Sequence, residues 1–232
     1  MAKLAGGLLG IAVGAAVAAV PSGTAAAVTR EIGTVPPANP ATECVPQAAN
    51  EGWAPQAGLI KALDICRARE GIGPLVLPSN WPLLDPAQQL FTATNLERVD
   101  RGERPITGLS RRLDADAKKA AVARTDPSTA MQDYWWGVWI GDGIPLADVW
   151  IWTYNDGPGS NNLACTPKDH SGCWGHRDAL LAHYEPGAKL VAGAGCSGES
   201  CAMLIVASNT PTWFTWADEL KYFARPPAEK PL

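Results

Sequence analysis

The chain has 232 residues, 47% of them hydrophobic and 18% charged, with a formal net charge of −4 at pH 7. That length and apolar content suit one packed domain with short extra segments. The mild acidity argues against nucleic acid or an anionic membrane surface as partner, because both require a basic patch.

Near the N-terminus, Lys3 precedes an unbroken run of apolar and small residues over 4–20, which Pro21, Ser22 and Gly23 end before Ala25, Ala26 and Ala27. This is the plan of a secretory signal peptide cleaved near Val28. A membrane anchor would need ~20 strongly apolar residues, and this run is shorter and rich in glycine and alanine. Residues 1–27 are therefore predicted to be a signal peptide. The expected product is a secreted, extracellular monomer with no later transmembrane segment. Six cysteines agree with export to an oxidising compartment. Of the fifteen pairings open to six cysteines, the sequential one closes the shortest loops: Cys44 with Cys66, Cys165 with Cys173, Cys196 with Cys201. The chain has no Cys-x2-Cys pair, so a thiolate zinc site is not expected.

Residues 28–84 read as an extended, proline-bearing leader followed by a helix over 58–70, where Leu59, Ile60, Leu63 and Cys66 fall at helical spacing. The prolines of 74–84 exclude a long helix there. Asp85-Pro86 starts the next helix, an acid at the N-cap and proline in the first turn. It runs to about Asp100, and 95–102 reads as its polar exit. Residues 105–109 read as a loop. A helix is predicted over 114–124, stopped by Asp126-Pro127. The aromatic stretch 132–139 reads as a strand, Gly141-Asp142-Gly143 as a turn, and 145–154 as a third helix. A turn cluster over 155–162 leads to a short helix over 175–183. Then come two strands, 189–196 and 201–208, a last strand candidate at 213–216, and a tail from Pro226. Helices, an extended aromatic segment and a hairpin together predict an α+β fold with helices packed on a small antiparallel sheet.

The densest chemistry lies in 165–181, which holds two cysteines, His170, His176, Trp174 and an Arg-Asp pair, with His183 just beyond. Gly175-His176-Arg177-Asp178-Ala179-Leu180-Leu181 resembles the Gly-His-Arg-x-Asn-(Ile/Leu)-Leu box of secreted CAP domains, the SCP family of cysteine-rich secretory proteins, antigen 5 and plant pathogenesis-related 1. Alanine stands at 179 where that box has asparagine. Asn95-Leu96-Glu97-Arg98 is similar to the family's Asn-x-x-Arg helix, Gly141-Asp142-Gly143-Ile144 to its Gly-Glu-Asn-(Ile/Val) box, and the strand start at Ala192-Gly193-Ala194-Gly195 to its glycine-bearing strand. The resemblance covers about 85–225 and is strongest to exported, actinobacterial-looking members. It implies an α-β-α sandwich with a cleft that many members line with two histidines and two acids able to hold a divalent metal. Carried over, His176 matches the second histidine, Asp142 the first acid and Asp156 the second. The stretch expected to supply the first histidine, 123–126, contains none.

The expected ligand cleft is therefore His176, Asp142, Asp156 and Trp174. A divalent cation (Zn, Mg or Ca) on His176 and Asp142 is the possible cofactor. An imidazole can ligate a metal or move protons near neutral pH; its plainer role is a helix N-terminal residue bonded to a carbonyl. His170 and His183 read as loop or surface histidines. Gly-Asp-Gly and Asn-Asp-Gly are ordinary turn sequences, so Asp142 and Asp156 could also be turn formers. Ser160, Ser171 and Ser197 sit in turns without a nucleophile motif. Trp135, Trp136, Trp139, Trp150 and Trp152 read mainly as core, with one face available to stack a sugar ring or lipid tail. Two functions follow. One is a non-catalytic binding module with a cleft for a small apolar or glycan ligand. The alternative is a metal-assisted hydrolase acting on extracellular or cell-wall material. The absent first histidine favours the binding module, since catalytic zinc takes three protein ligands.

Overall fold

The computed structural model describes residues 39–46, 56–130, 135–140, 144–184, 187, 189–224 and 227, all within one unit, Glu31–Leu232. The expected signal peptide, most of the expected leader, the 141–143 turn with Asp142, the side chains of Trp135, Trp136 and Trp139, and most of the tail lie outside the described residues.

Helix α1 (Gln56–Arg69) buries Leu59, Ala62, Leu63 and Cys66. Helix α2 (Pro86–Val99) begins with a full capping box: Asp85 accepts from the Gln88 amide while the Gln88 side chain accepts from the Asp85 amide. Helix α3 (Arg111–Ala123) starts about one turn earlier than the sequence pattern places it, after Ser110. Helix α4 (Pro145–Tyr154) has the predicted bounds, and α5 (Gly175–Leu181) ends two residues sooner than expected. The strands are β1 (Gly108–Leu109), β2 (Trp135–Ile140), β3 (Leu190–Ser197), β4 (Ser200–Ala207) and β5 (Phe214–Thr215), and a single turn, α6 (Trp216–Glu219), follows.

The sheet order is β2-β4-β3-β1-β5. β2, β4 and β3 form the expected antiparallel core, but β1 pairs parallel with β3, so the sheet is mixed. Two residues are too few to show alternation, which is why 108–109 reads as loop in the sequence. Side chains alternate across β3 and β4. Val191, Leu204 and Val206 meet Leu113 and Ala117 of α3, whereas Leu190, Ala192, Met203 and Ile205 join the main core with α1, α2, α4 and α5. Helices thus cover both faces, in an α+β fold. Gly193 lets α3 sit directly on β3, for a Cβ there would lie 2.2 Å from the Leu113 carbonyl carbon. The helix before Asp85 belongs to the same core, contributing Leu59 and Leu63 to it, and it packs against α4.

Three disulfides join Cys44 to Cys66, Cys165 to Cys173 and Cys196 to Cys201, the sequential pairing, and no free cysteine remains among the described residues. None of the described helices is long and apolar enough to cross a membrane.

The end of α2, expected as a polar exit, is among the most buried parts of the chain. Glu97 and Arg98 are 1% and 0% exposed. Glu97 pairs with Arg67 at 2.7 Å and Arg101 at 2.5 Å, and Tyr154 donates to it at 2.8 Å. Burial alone would raise the Glu97 pKa; Arg101, Arg67 and the Tyr154 hydroxyl pull it down to about 2. Asn95 exchanges two hydrogen bonds with the Ile106 backbone, and Arg98 donates to the carbonyls of Arg104, Leu180 and Ala182. These residues fasten α2 to the loop before β1 and to the end of α5.

Candidate functional site

Helix α5 has seven residues, too few to hold itself in water, so its place is set by tertiary bonds. The main one comes from Asp156, two residues past α4 and 1% exposed. Its Oδ2 accepts from the backbone amides of His176 at 2.9 Å and Arg177 at 3.3 Å, meeting two donors that a helix N-terminus leaves free. The Asp156 carbonyl also accepts from the Trp174 amide at 2.8 Å. Asp156 is thus a cap supplied from another element.

The same carboxylate aims the imidazole. Asp156 Oδ1 lies 2.6 Å from His176 Nδ1. A carboxylate only accepts, so Nδ1 carries the proton and Nε2 is the working nitrogen. Nε2 faces Asp126 Oδ1 at 4.0 Å, with the His176 side chain 20% exposed and that of Asp126 66% exposed. Asn162 steadies the arrangement, donating to Asp156 Oδ1 at 2.8 Å and to the Gly172 carbonyl at 3.0 Å. The Cys165–Cys173 bond closes the loop beside it.

For His176, burial is the largest influence and would lower the pKa, but the hydrogen bond and charge of Asp156, with the charge of Asp126, outweigh it and raise the value above 6.5. For Asp126, burial raises the pKa, His176 opposes it and Asp156 adds to it. Asp156, buried, and Asp126, open to solvent, thus stabilise the charged imidazole relative to a free one.

Of the four cleft residues expected from sequence, the structure brings His176 and Asp156 into direct contact. Asp142 lies outside the described residues. Trp174 adjoins them but is 6% exposed; its indole covers Gly157, where a Cβ would lie 2.3 Å from the ring. Trp174 also adopts a left-handed φ of 66°, unusual for a tryptophan, held by its amide bond to Asp156. His170 is in the exposed loop, and His183 pairs with Glu103 at 3.2 Å, 52% exposed and apart from this group.

Sequence reasoning missed Asp126, read only as a helix stop. It is delivered by the C-terminus of α3, where Arg124 takes a left-handed φ of 55° and Thr125 bonds back to the Ala120 carbonyl at 3.2 Å. The available signal was position: 123–126 is the stretch where the family resemblance asks for a ligand, and Asp126 is its only acid. Asn162 carried no signal beyond its turn composition.

Among the described residues no three His, Cys, Asp or Glu side chains stand together as an ion site, and Asp142, the other expected ligand, lies outside them. What remains is a directed acid–base pair: an Nε2 that accepts when neutral and donates when charged, with a carboxylate acceptor beside it. No family model matches this chain, and no curated protein matches it either.

Proposed function

We propose that this chain is a secreted, non-catalytic binding module of the CAP type whose His176 face holds a small glycan. The observation that carries the reading is the His176 Nδ1 to Asp156 bond at 2.6 Å, which leaves Nε2 facing Asp126. A sugar ring presents neighbouring hydroxyls, each able to donate and accept. One hydroxyl can meet Nε2 while the next donates to Asp126. An apolar ligand is the poorer fit, because Trp174 is spent on Gly157. The three disulfides and the signal-like plan of 1–27 support export. The metal-assisted hydrolase is the second reading, and the 123–126 stretch that should supply its first histidine holds none.

The test is calorimetric titration of the chain with chitotetraose, a neutral soluble oligosaccharide, alongside incubation with insoluble peptidoglycan. Saturable binding is expected, weakened about tenfold or more by His176→Ala and by Asp126→Asn, each removing one hydrogen bond to a charged group. Circular dichroism should show both variants folded. Undiminished binding in both variants, or a His176→Ala chain that cannot fold, would overturn the reading. New reducing ends or amino groups released from peptidoglycan would establish the hydrolase instead.

A further inference from the structure

A shallow pocket of about 270 Å³ lies between the start of α2, one side of α3, the Ala194–Cys196 part of β3 and Trp213. It shares no residue with the His176 site. Asp114 and Trp213 form its back wall. Asp114 Oδ2 accepts from the Trp213 indole N–H at 2.6 Å, and Oδ1 accepts from the Ala194 amide at 3.1 Å. The indole is thereby fixed, and the Arg111 guanidinium lies over it with its carbon 3.5 Å from the ring centroid. Stacking of this kind orients the guanidinium plane while leaving its N–H edge unspent. The charge of Arg111 also acts on Asp114, lowering its pKa against the effect of burial, but its stacked guanidinium keeps its N–H edge turned from the indole.

The other charges in the lining are engaged. Lys118 donates to the Cys196 carbonyl. Asp85 caps α2, accepting from Gln88 at 2.9 Å, where the helix dipole offsets its charge. Asp114 has a donor on each oxygen. The group pre-oriented for a fork is the guanidinium, which matches a carboxylate bidentately, with the remaining N–H groups of Lys118 as a second cation. Two aspartates in the lining oppose a doubly charged phosphate more than a singly charged carboxylate. Pro86 and Ala87 give an apolar wall for a carbon skeleton, and the volume, slightly below the ~300 Å³ of the smallest ordinary ligand pockets, suits a monosaccharide-sized molecule.

We propose that the Arg111–Trp213 pocket is a binding site for a small monocarboxylate of sugar-acid size. It stands independently of the His176 reading.

The test uses the full 15N-labelled chain and three probes: glucuronate, glucose and glucose 6-phosphate. The Trp213 indole N–H resonance, assigned by its loss in Trp213→Phe, and the Ala194 and Gly195 amides report on the pocket. Glucuronate should shift them saturably, glucose should not, and glucose 6-phosphate should bind more weakly than glucuronate. Arg111→Gln should cost about tenfold or more in glucuronate affinity. Arg111→Lys, which keeps the charge but loses the fork, should fall between. His176→Ala should leave the titration unchanged. No saturable shift, an equal response to glucose, tighter binding of the phosphate, or undiminished affinity in Arg111→Gln would each overturn the proposal.

Discussion

Replacing Asp156 by asparagine separates the two duties of that side chain. The carboxylate meets four donors: His176 Nδ1 at 2.6 Å, the His176 amide at 2.9 Å, the Arg177 amide at 3.3 Å and Asn162 Nδ2 at 2.8 Å. Asparagine keeps one acceptor oxygen and turns the other position into a donor, so donors on that side face an NH2 group. Bonds to a charged acceptor are worth about 1.5–3 kcal/mol against about 0.5–1.5 for neutral ones. Together with a weakened cap, the expected cost is about 2 kcal/mol, or roughly 4–8 °C in Tm for a domain of this size. The imidazole responds separately. Burial lowers the His176 pKa and Asp156 is the main influence raising it above 6.5. In Asp156→Asn the balance should reverse and the residue should titrate below 6.5. The sign for stability follows. A raised folded-state pKa contributes stability that is complete below the unfolded value of 6.5 and is lost as pH rises through the folded value. The native chain should therefore lose Tm across that window, and the variant should not. NMR of the His Cε1–H resonances, with His170 and His183 in the same spectra, gives the titration; calorimetry across the same pH range gives the Tm. An unchanged His176 titration in a variant as stable as the native chain would refute the arrangement.

Two further substitutions test the frame around the site. Glu97→Gln removes the buried charge shared by Arg67 and Arg101, leaving Arg67 to Asp100 and Arg101 to Glu70, and should cost about 1.5–3 kcal/mol in chemical denaturation. With the Glu97 pKa held at about 2 in the fold, its stabilising contribution is present above the unfolded value of 4.5 and fades as pH falls toward about 2, so the native chain should lose its advantage over the variant in acid. Gly193→Ala places a methyl 2.2 Å from the Leu113 backbone, and the displacement of α3 should lower stability by about 1–3 kcal/mol without altering the His176 titration.

Much of the frame was legible because its signals are local. Asp85-Pro86 and Gln88 announce the start of α2 within four residues, Pro145 and the apolar spacing after it give α4, and neighbouring cysteines pair across short loops. His176 and Asp156 were also legible as candidates, though not as partners, because they are twenty residues apart and meet only through the turn of the intervening loop. The failures share one cause. Asn95, Glu97, Arg98 and Arg101 have the composition of a solvated helix end, and only partners far off in sequence, such as Arg67, Tyr154 and Leu180, make that end a core. Asp126 looks like a helix stop for the same reason: its function is defined by His176, fifty residues on.

The capping duty of Asp156 raises the question of whether His176 is there for contact or only for packing. Helix α5 is held at its start by Asp156, along its length by Arg177 donating to the Thr153 carbonyl at 2.7 Å and pairing with Glu70 at 2.9 Å, and at its end by Arg98 on the Leu180 and Ala182 carbonyls. Leu180 and Leu181 bury its apolar side. Every one of these bonds would survive if residue 176 carried a methyl group, since Asp156 reaches its backbone amide as well as its ring. The imidazole adds nothing to the cap, yet it is oriented by a buried carboxylate and left 20% exposed toward a second acid. A side chain that the cap of α5 does not require, but that a buried carboxylate aims toward solvent, is placed to meet something arriving from solvent.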